Sequence, residues 1–446
     1  MTRWPILHQL YFLQLNNYSL LRYWKGVFKV KQAPRKKIVW TPKALAILTL
    51  SILFAATVAY FEALFTGPWF VVAFLFLWLI WANLLAPIFL SLSVLILFPL
   101  DFAIKHYIVA QARTKMRTLP KLKIIGITGS FGKTTMKESL SAVLSQRFKV
   151  LTTPENINTP LGISRLILDK LDGDIELFVV EMGAYKRGDI FQLCAIAQPD
   201  IVLLTGINEA HLELFGGIKN TIAAKFEIVV NSKSQALVVL NSDSELIKQN
   251  YQKYLGERPV FWYSKELQML PNVKMPLLGS YAWGVVNACV IIAKELGLSE
   301  LEIRDGIGKI KQIPHRLQIL PNSNGVVVID DSYNGNPDGA AEAIKVLAGF
   351  QDKRKIYVTP GLVEMGSRTE AVHKEIGKQL AHAADVVILI KNSATPFIEQ
   401  GLLQEGFKSE NIKWFGSAHL AHNAIKSIVK PGDVILFQND WPENYT

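Results

Sequence analysis

The sequence predicts an α/β protein: two consecutive domains built on mostly parallel sheets, preceded by an α-helical region that reads as membrane-spanning. Three observations predict it. From Lys121 onward short apolar runs alternate with amphipathic segments, the pattern of strand–helix–strand units. A glycine-rich loop, Gly126 to Thr135, stands between one such run and a helical segment. Two long apolar stretches lie ahead of Asp101.

Residues 1–30 mix Leu7, Leu10, Tyr11, Leu13, Leu21, Trp24 and Phe28 with a few charges. That pattern fits amphipathic helices on a membrane surface or ordinary core-facing helices equally well. The apolar part begins too late and lacks a small-residue cleavage site, so a cleavable signal peptide is not expected. Ala44–Phe65 then runs 22 residues with one charge, Glu62. About 20 apolar residues cross a bilayer core of about 30 Å. Thr66-Gly67-Pro68 ends the segment. Trp69–Leu100 continues for 32 residues without a charge. Asn83 and Pro87 in its middle predict a kink or break, so hydropathy alone fits two helices or three.

Charge chooses between them. Arg35, Lys36, Lys37 and Lys43 precede the first stretch, and Lys105, Arg113, Lys115, Arg117, Lys121 and Lys123 follow the second. The positive-inside rule puts both flanks in the cytoplasm, which requires an even number of crossings. The expectation is two spans, about 44–65 and 69–90, with the tail of the long segment lying along the interface toward Met116. The domain limits that follow are 1–120, 121–312 and 313–446.

The formal net charge is +11, and it is uneven: residues 1–123 hold 15 Lys/Arg against 2 Asp/Glu, the remainder 33 against 35. Because the excess flanks apolar segments, anionic lipid headgroups are the expected partner and nucleic acid is not. The 2 cysteines, Cys194 and Cys289, exclude a disulfide framework or a Cys-rich zinc site and read as core.

In the α/β part, Ile124–Thr128, Leu177–Glu181, Ile201–Thr205 and Ala236–Leu240 read as strands. Met136–Phe148, Asp189–Ala197 and Ile218–Asn231 read as the helices between them, and Leu277–Leu296 as the helix that closes the domain. After about Ile313 a second series begins, with strands at Val326–Ile329, Lys355–Thr359, Val386–Ile390 and Val434–Phe437.

The loop carries the chemistry. In Gly126-Ile-Thr-Gly-Ser-Phe-Gly-Lys-Thr-Thr135, Gly129 and Gly132 let the backbone approach phosphates, and the N–H groups of a helix start add positive potential. Thr128, Gly129, Ser130, Phe131, Gly132, Lys133, Thr134 and Thr135 are the predicted nucleotide-binding residues. Lys133 can reach the β/γ-phosphates and the Thr134 hydroxyl a Mg²⁺ ion. The strict G-x-x-x-x-G-K-[ST] pattern is not met, because its first glycine sits one residue early, at Gly126.

This variant resembles the T-G-[ST]-x-G-K-T-T loop of the Mur ligase family, whose members form amide bonds in cell-wall precursors. Further stretches carry the resemblance. Thr153-Pro-Glu-Asn-Ile-Asn-Thr-Pro-Leu-Gly162 is similar to the family's T-x-x-N-x-N-x-x-x-G and makes Asn156 and Asn158 substrate-side candidates. Val179-Val-Glu-Met-Gly-Ala184 resembles V-x-E-x-G, which assigns Glu181 to magnesium. Asn208-Glu-Ala-His-Leu-Glu213 resembles N-x-x-x-H-L-[ED] and implies a magnesium ligand at His211. Ala224-Lys-Phe-Glu-Ile228 resembles A-K-x-E-I, whose lysine is carbamylated in many members and helps hold a second magnesium, here Lys225. Such a lysine must be neutral to react, so burial or a nearby cation has to lower its pKa.

The adenine segment is the poorest match. Gly279-Ser-Tyr-Ala-Trp-Gly-Val-Val-Asn287 replaces the family's His and Asn with Tyr281 and Ala282, which leaves Asn287 as the adenine candidate. In the last domain, Pro314-His-Arg-Leu-Gln318 implies a nucleotide-reaching arginine, Arg316. Ile329-Asp-Asp-Ser-Tyr-Asn-Gly-Asn-Pro337 matches D-D-x-Y-N-x-N-P almost letter for letter. That motif marks the branch that adds D-Ala-D-Ala to the UDP-MurNAc tripeptide. It assigns Asp331 to the nucleotide and Asn334 and Asn336 to the substrate cleft. Thr359-Pro-Gly-Leu-Val-Glu-Met-Gly366 resembles the G-x-M-x-E-L-G loop, and His373 sits where many members have a histidine.

The resemblance spans roughly residues 121–440 and fails at both ends. The family's N-terminal UDP-binding domain is replaced by the membrane region. Its V-K-G-S-R is replaced by Leu436-Phe-Gln-Asn-Asp440. The implied architecture is a Mur ligase-type P-loop central domain and a Rossmann-like C-terminal domain. The implied activity is ATP- and Mg²⁺-dependent amide ligation on a UDP- or lipid-linked muropeptide, at the cytoplasmic membrane of a prokaryote. Two other readings stand beside it: a membrane-anchored poly-γ-glutamate-type ligase and an ATP-binding membrane regulator without catalysis.

Overall fold

The computed structural model describes residues 5–16, 18–26, 38–155, 157–208, 215–273, 275, 277–321, 325–333, 335–363 and 365–438. Phe28, Arg35, Lys36, Lys37, Asn156, His211, Asn334, Glu364, Asn439 and Asp440 lie outside these residues. The chain forms two compact units, residues 1–107 and 108–446.

The first unit is helical: Pro5–Leu15, Leu20–Gly26, Pro42–Ala63, a 3₁₀ turn at Leu64–Trp69, Phe70–Leu84, and the start of Ala86–Arg117. Pro42 opens the first long helix and the Thr41 hydroxyl accepts from the Ala44 N–H, a proline-plus-cap start. The second apolar stretch shows the break expected around Asn83 and Pro87, with one helix over Phe70–Leu84 and the next from Ala86. It breaks at Leu85, because Pro87 offers no N–H to the preceding turn and is tolerated only in the first turn of a new helix.

The two arms run antiparallel. Lys43 pairs with Asp101 at 3.0 Å, the Ser51 and Ser93 hydroxyls meet at 3.0 Å, and Trp81 Nε1 donates to Glu62 Oε2 at 2.6 Å. Moving up the first helix thus means moving back along both that follow, so the broken segment is one arm of a hairpin. Along the first helix Ile47, Ser51, Ala55, Ala59 and Ala63 are buried at every fourth position, a seam small enough for close backbone approach. The large residues face outward: Leu53, Phe61, Phe76, Leu92 and Ile96 are all exposed. Of the two readings for the N-terminal helices, packing takes Leu10, Leu13 and Tyr23 into a core with Ile47 and Leu90, whereas Leu21 and Trp24 stay exposed.

The last turns of Ala86–Arg117 belong to the second unit. Ala112 is fully buried there in a cluster with Ile124 and Phe178, and Lys115 Nζ donates to the Leu168 carbonyl at 2.8 Å. Upstream of these turns the helix stays exposed, Phe102, Ile104 and Tyr107 among its outward residues, and the second unit begins at residue 108.

The first sheet of this unit contains β1 (Lys123–Thr128), β2 (Val150–Thr152), β3 (Leu177–Glu181), β4 (Ile201–Leu204), β5 (Leu237–Asn241) and β6 (Val260–Tyr263). Its order is β2-β3-β1-β4-β5-β6, with every pairing parallel. Alternate residues of β1, Ile124 against Ile125 and Ile127, serve separate cores on the two faces, as a helix-covered parallel sheet requires. The strand order reverses around β1, so the carboxyl ends of β1, β3 and β4 open one crevice, where ligands of such sheets bind. The second sheet contains β7 (Gln318–Leu320), β8 (Val327–Asp331), β9 (Lys355–Thr359), β10 (Val386–Ile390), β11 (Ile412–Phe415) and β12 (Val434–Gln438). Its order is β11-β10-β9-β12-β8-β7, parallel except for β7.

Candidate active site

The loop after β1 and the helix Lys133–Leu144 form one wall. Gly126, the early glycine, is not part of the loop. It lies inside β1, where a Cβ would come within 2.8 Å of Pro199 Cγ. Gly132, at φ 72°, turns the chain into the helix through a conformation that side-chain-bearing residues resist. Ser130 N–H donates to the Gly206 carbonyl at 2.8 Å, and the Thr205 hydroxyl donates to the Phe131 carbonyl, so β4 braces the loop. Thr128 is spent at the end of β1, its hydroxyl bound to the Met182 carbonyl at 2.7 Å.

Lys133 Nζ donates to the Gly129 carbonyl at 2.9 Å. Burial lowers its pKa below the ordinary lysine value, Glu181 opposing and Arg316 adding to that effect. The Thr134 hydroxyl donates to Glu181 Oε2 at 3.0 Å, which joins the helix start to the end of β3. Lys225, on the helix Ile218–Val230, is 3 % exposed with its ammonium 5.7 Å from the centre of the Phe215 ring. Burial first, and Lys133 second, hold its pKa well below the usual lysine value. The motif's Glu227 caps a helix, accepting from the Gly188 and Phe191 N–H groups at 2.7 and 3.1 Å. Asn158 packs against Gly183, where a Cβ would come within 2.9 Å of its side chain, and this accounts for the glycine of the V-x-E-x-G stretch.

The opposing wall comes from the second sheet. Arg316 sits between two left-handed residues, His315 at φ 59° and Leu317 at φ 49°. Such backbone persists only where neighbours enforce it. Here the paired aspartates at the end of β8 do so: His315 Nδ1 meets Asp330 Oδ2 at 2.7 Å, and the Leu317 N–H donates to Asp331 Oδ1 at 3.2 Å. Arg316 also lies over the Tyr333 ring, 4.6 Å from its centre. Burial pushes the Asp331 carboxyl up to about 6, against the Leu317 bond and the Arg316 charge. Asn336 Oδ1 caps the helix Pro337–Ala348 through the Gly339 N–H at 3.0 Å. It also accepts from Asn208 Nδ2 at 3.2 Å, and Asn208 donates to Asp338 at 2.7 Å.

Between the walls lies a cleft of about 620 Å³ lined by Phe131, Gly132, Thr135, Arg316, Asp331 and Asn336 among others. Asn287 is not among its lining residues. It is fully buried, donating to the Ser264 and Leu267 carbonyls at 2.8 and 2.6 Å and accepting from Met269 N–H at 3.3 Å. Its amide shapes the loop that brings Lys265 to the cleft, with both Nδ2 protons donated to that loop's carbonyls. His373 is structural too, donating from Nδ1 to the Thr369 carbonyl and accepting the Leu362 N–H at Nε2. Sequence reasoning missed Asp330, Tyr333 and Lys137. Lys137 had one visible signal, a lysine one turn beyond Lys133 on an otherwise buried helix face.

A phosphate loop at the switch point of a parallel sheet, facing an arginine and an aspartate from a second α/β lobe, defines a nucleotide-dependent enzyme whose two lobes share one cleft. Residues 127–270 match the Mur ligase middle domain, and residues 315–438 match the Mur ligase, glutamate ligase domain. The UDP-N-acetylmuramoyl-tripeptide–D-alanyl-D-alanine ligase of Bacillus subtilis (strain 168) is 27% identical over 335 residues, which cover 71% of this chain and 72% of the relative. MurF ligase from Thermotoga maritima, solved in complex with ADP, superposes with a TM-score of 0.65 at 27% identity, covering 75% of this chain and 80% of that one. MurF from Acinetobacter baumannii gives a TM-score of 0.66 at 25% identity, with 75% and 77% covered. The chain belongs to the Mur ligase family; it is an ATP-dependent, ADP-forming ligase.

Proposed function

We propose that this ligase joins an amino acid or dipeptide, D-Ala-D-Ala foremost, to the peptide carboxylate of a muropeptide-type cell-wall precursor, and that it works at the cytoplasmic face of a membrane. The observation that carries the first part is that Thr134 is bonded to Glu181 and that Lys133 lies in electrostatic range of both Glu181 and Arg316, whose turn Asp331 holds, in a chain that aligns with such ligases through both lobes. In the reaction an acceptor carboxylate oxygen attacks the γ-phosphorus of ATP, the bond to ADP breaks, and an acyl phosphate forms. The amine nitrogen then attacks the acyl carbon, phosphate leaves, and the amine loses a proton. Lys133 and Arg316 neutralise the transferring phosphoryl group from opposite walls, and Asn156, Asn158, Asn334 and Asn336 orient the acceptor side.

The Thr134 hydroxyl and the Glu181 carboxylate, 3.0 Å apart, are hard oxygen donors that fit Mg²⁺. They would hold it together with His211 and Lys225 as a carbamate, and bound Mg²⁺ supplies charge neutralisation at the γ-phosphate. Burial of Lys225 favours the neutral amine whose nitrogen attacks CO₂, giving the carbamate and a proton.

The membrane part rests on the hairpin, whose small residues face inward and whose large apolar residues face out, the reverse of a water-soluble bundle. High salt should leave the full chain in the membrane pellet and detergent should release it; release by salt alone overturns the spans. The same hairpin favours a second reading of the acceptor, a lipid-linked muropeptide held at high local concentration. ADP release by the purified chain, with D-Ala-D-Ala and either the UDP-linked or the lipid-linked tripeptide, decides. Efficient use of the UDP form alone makes the hairpin an address. Turnover with neither overturns the substrate assignment.

A further inference from the structure

Lys137 has no part in the site described so far. It is 0 % exposed, the only fully buried charged side chain among the largest fully buried ones described. It stands one turn beyond Lys133 on the same helix, and helical side chains lean toward the N-terminus, here toward the phosphate loop. A buried ammonium demands partners for its charge and its N–H groups. Lys137 Nζ lies 2.5 Å from the Thr153 carbonyl, 3.1 Å from Glu138 Oε1 and 3.9 Å from Glu181 Oε2. The last distance is charge contact without a hydrogen bond, so Glu181 keeps its lone pairs for Thr134 and a cation.

Thr153 closes the figure. Its hydroxyl accepts the Glu181 N–H at 3.0 Å while its carbonyl holds Lys137. Thr153 also opens the segment that carries Asn158 over Gly183, two residues past Glu181. Lys137 therefore braces the carboxylate that takes the divalent cation against the segment that takes the acceptor. We infer that Lys137 is a positioning residue of the ligation reaction, pinning the Thr153–Gly162 segment through the Thr153 carbonyl and counterbalancing the Glu181 charge. This rests on the site roles proposed above.

The two tasks have opposite consequences for ligands. The Lys137 charge repels a divalent cation at Glu181, whereas its hydrogen bond keeps the acceptor segment in place. Lys137→Met removes both, and Lys137→Gln keeps a donor for Thr153 while removing the charge. In the full-length protein, Mn²⁺ binding with a non-hydrolysable ATP analogue, read by electron paramagnetic resonance, should tighten severalfold in both variants. In the ADP-release assay, KM for UDP-N-acetylmuramoyl tripeptide should rise about tenfold in Lys137→Met and less in Lys137→Gln, with KM for ATP changed less than about twofold. Weaker or unchanged Mn²⁺ binding overturns the proposal, because a merely structural lysine would loosen cation and acceptor sites together. Should Lys137→Met fail to fold, Lys137→Gln decides alone. If the parent does not use that acceptor, the substrate assignment fails, and the Mn²⁺ measurement still decides the role of Lys137.

Discussion

The two walls of the cleft solve the same problem, holding positive charge where phosphates arrive, in opposite ways. The wall after β1 draws its cations inward: Lys137 and Lys225 sit in the interior and Lys133 is half-buried at the loop. Regular structure holds them, since each is on a helix packed against the sheet. The wall made by the turn before β7 and the end of β8 carries its cation on a strained turn, with Arg316 between two left-handed residues tied down by Asp330 and Asp331. A buried lysine on a helix is set in place by folding of its own lobe. An arginine on a turn held by two carboxylates answers to local electrostatics. On the proposed reaction, the first wall would bind nucleotide and the second would act on it once the lobes share it.

That contrast can be broken by removing one cation from each wall. Lys133→Ala should lower ADP release about a thousandfold or more and weaken ATP binding with it, while circular dichroism stays that of the parent. Arg316→Ala should lower kcat about a hundredfold with ATP affinity, measured by calorimetry, within about threefold of the parent. If Arg316→Ala loses ATP affinity as severely as Lys133→Ala, the division of labour is wrong. Unchanged turnover in Lys133→Ala would remove the loop from the reaction altogether.

The asymmetry also governs what could be read from residues alone. The first wall is written in one contiguous stretch, Gly126–Thr135, where glycines, lysine and threonines have local reasons to be together. The Thr134–Glu181 pair follows once β1 and β3 are neighbours. The strands β2, β6, β7 and β11 escaped because three or four residues at a sheet edge leave no periodic trace. The surroundings of Asn287 and His373 were not legible because a motif position shows the residue type and not what its hydrogen bonds reach; here both meet loop backbone. Lys137 was passed over because its one local signal, its place one turn beyond Lys133 on a buried helix face, does not show which carbonyl and carboxylate it meets. The helix end near Met116 read as interfacial because of its lysines and arginines, yet Ala112 and Met116 pack into the core. In each case long-range packing decided.

The smallest effect probes the second wall through its own charge. Burial raises the Asp331 carboxyl from 3.8 to about 6. A raised carboxyl pKa means that the unfolded chain gives up the proton first as pH increases. Between about pH 4 and pH 6 the folded state binds more protons than the unfolded one, so Asp331 costs stability progressively across that window and by a constant amount above it. A tenfold change in proton affinity is worth about 1.4 kcal/mol, and partial solvent access lowers the total to about 2 kcal/mol. Asp331→Asn keeps an oxygen for the Leu317 N–H and removes the charge. Its melting temperature relative to the parent, measured without nucleotide, should therefore climb by a few degrees from pH 4 to pH 6 and then level off, about 2–4 °C per kcal/mol for a domain of this size. The gain should come with lost turnover, since the charge also faces Arg316 across the turn it holds. A difference in melting temperature that does not change with pH would mean that the carboxyl titrates like an exposed one, and that Asp330 alone holds the turn.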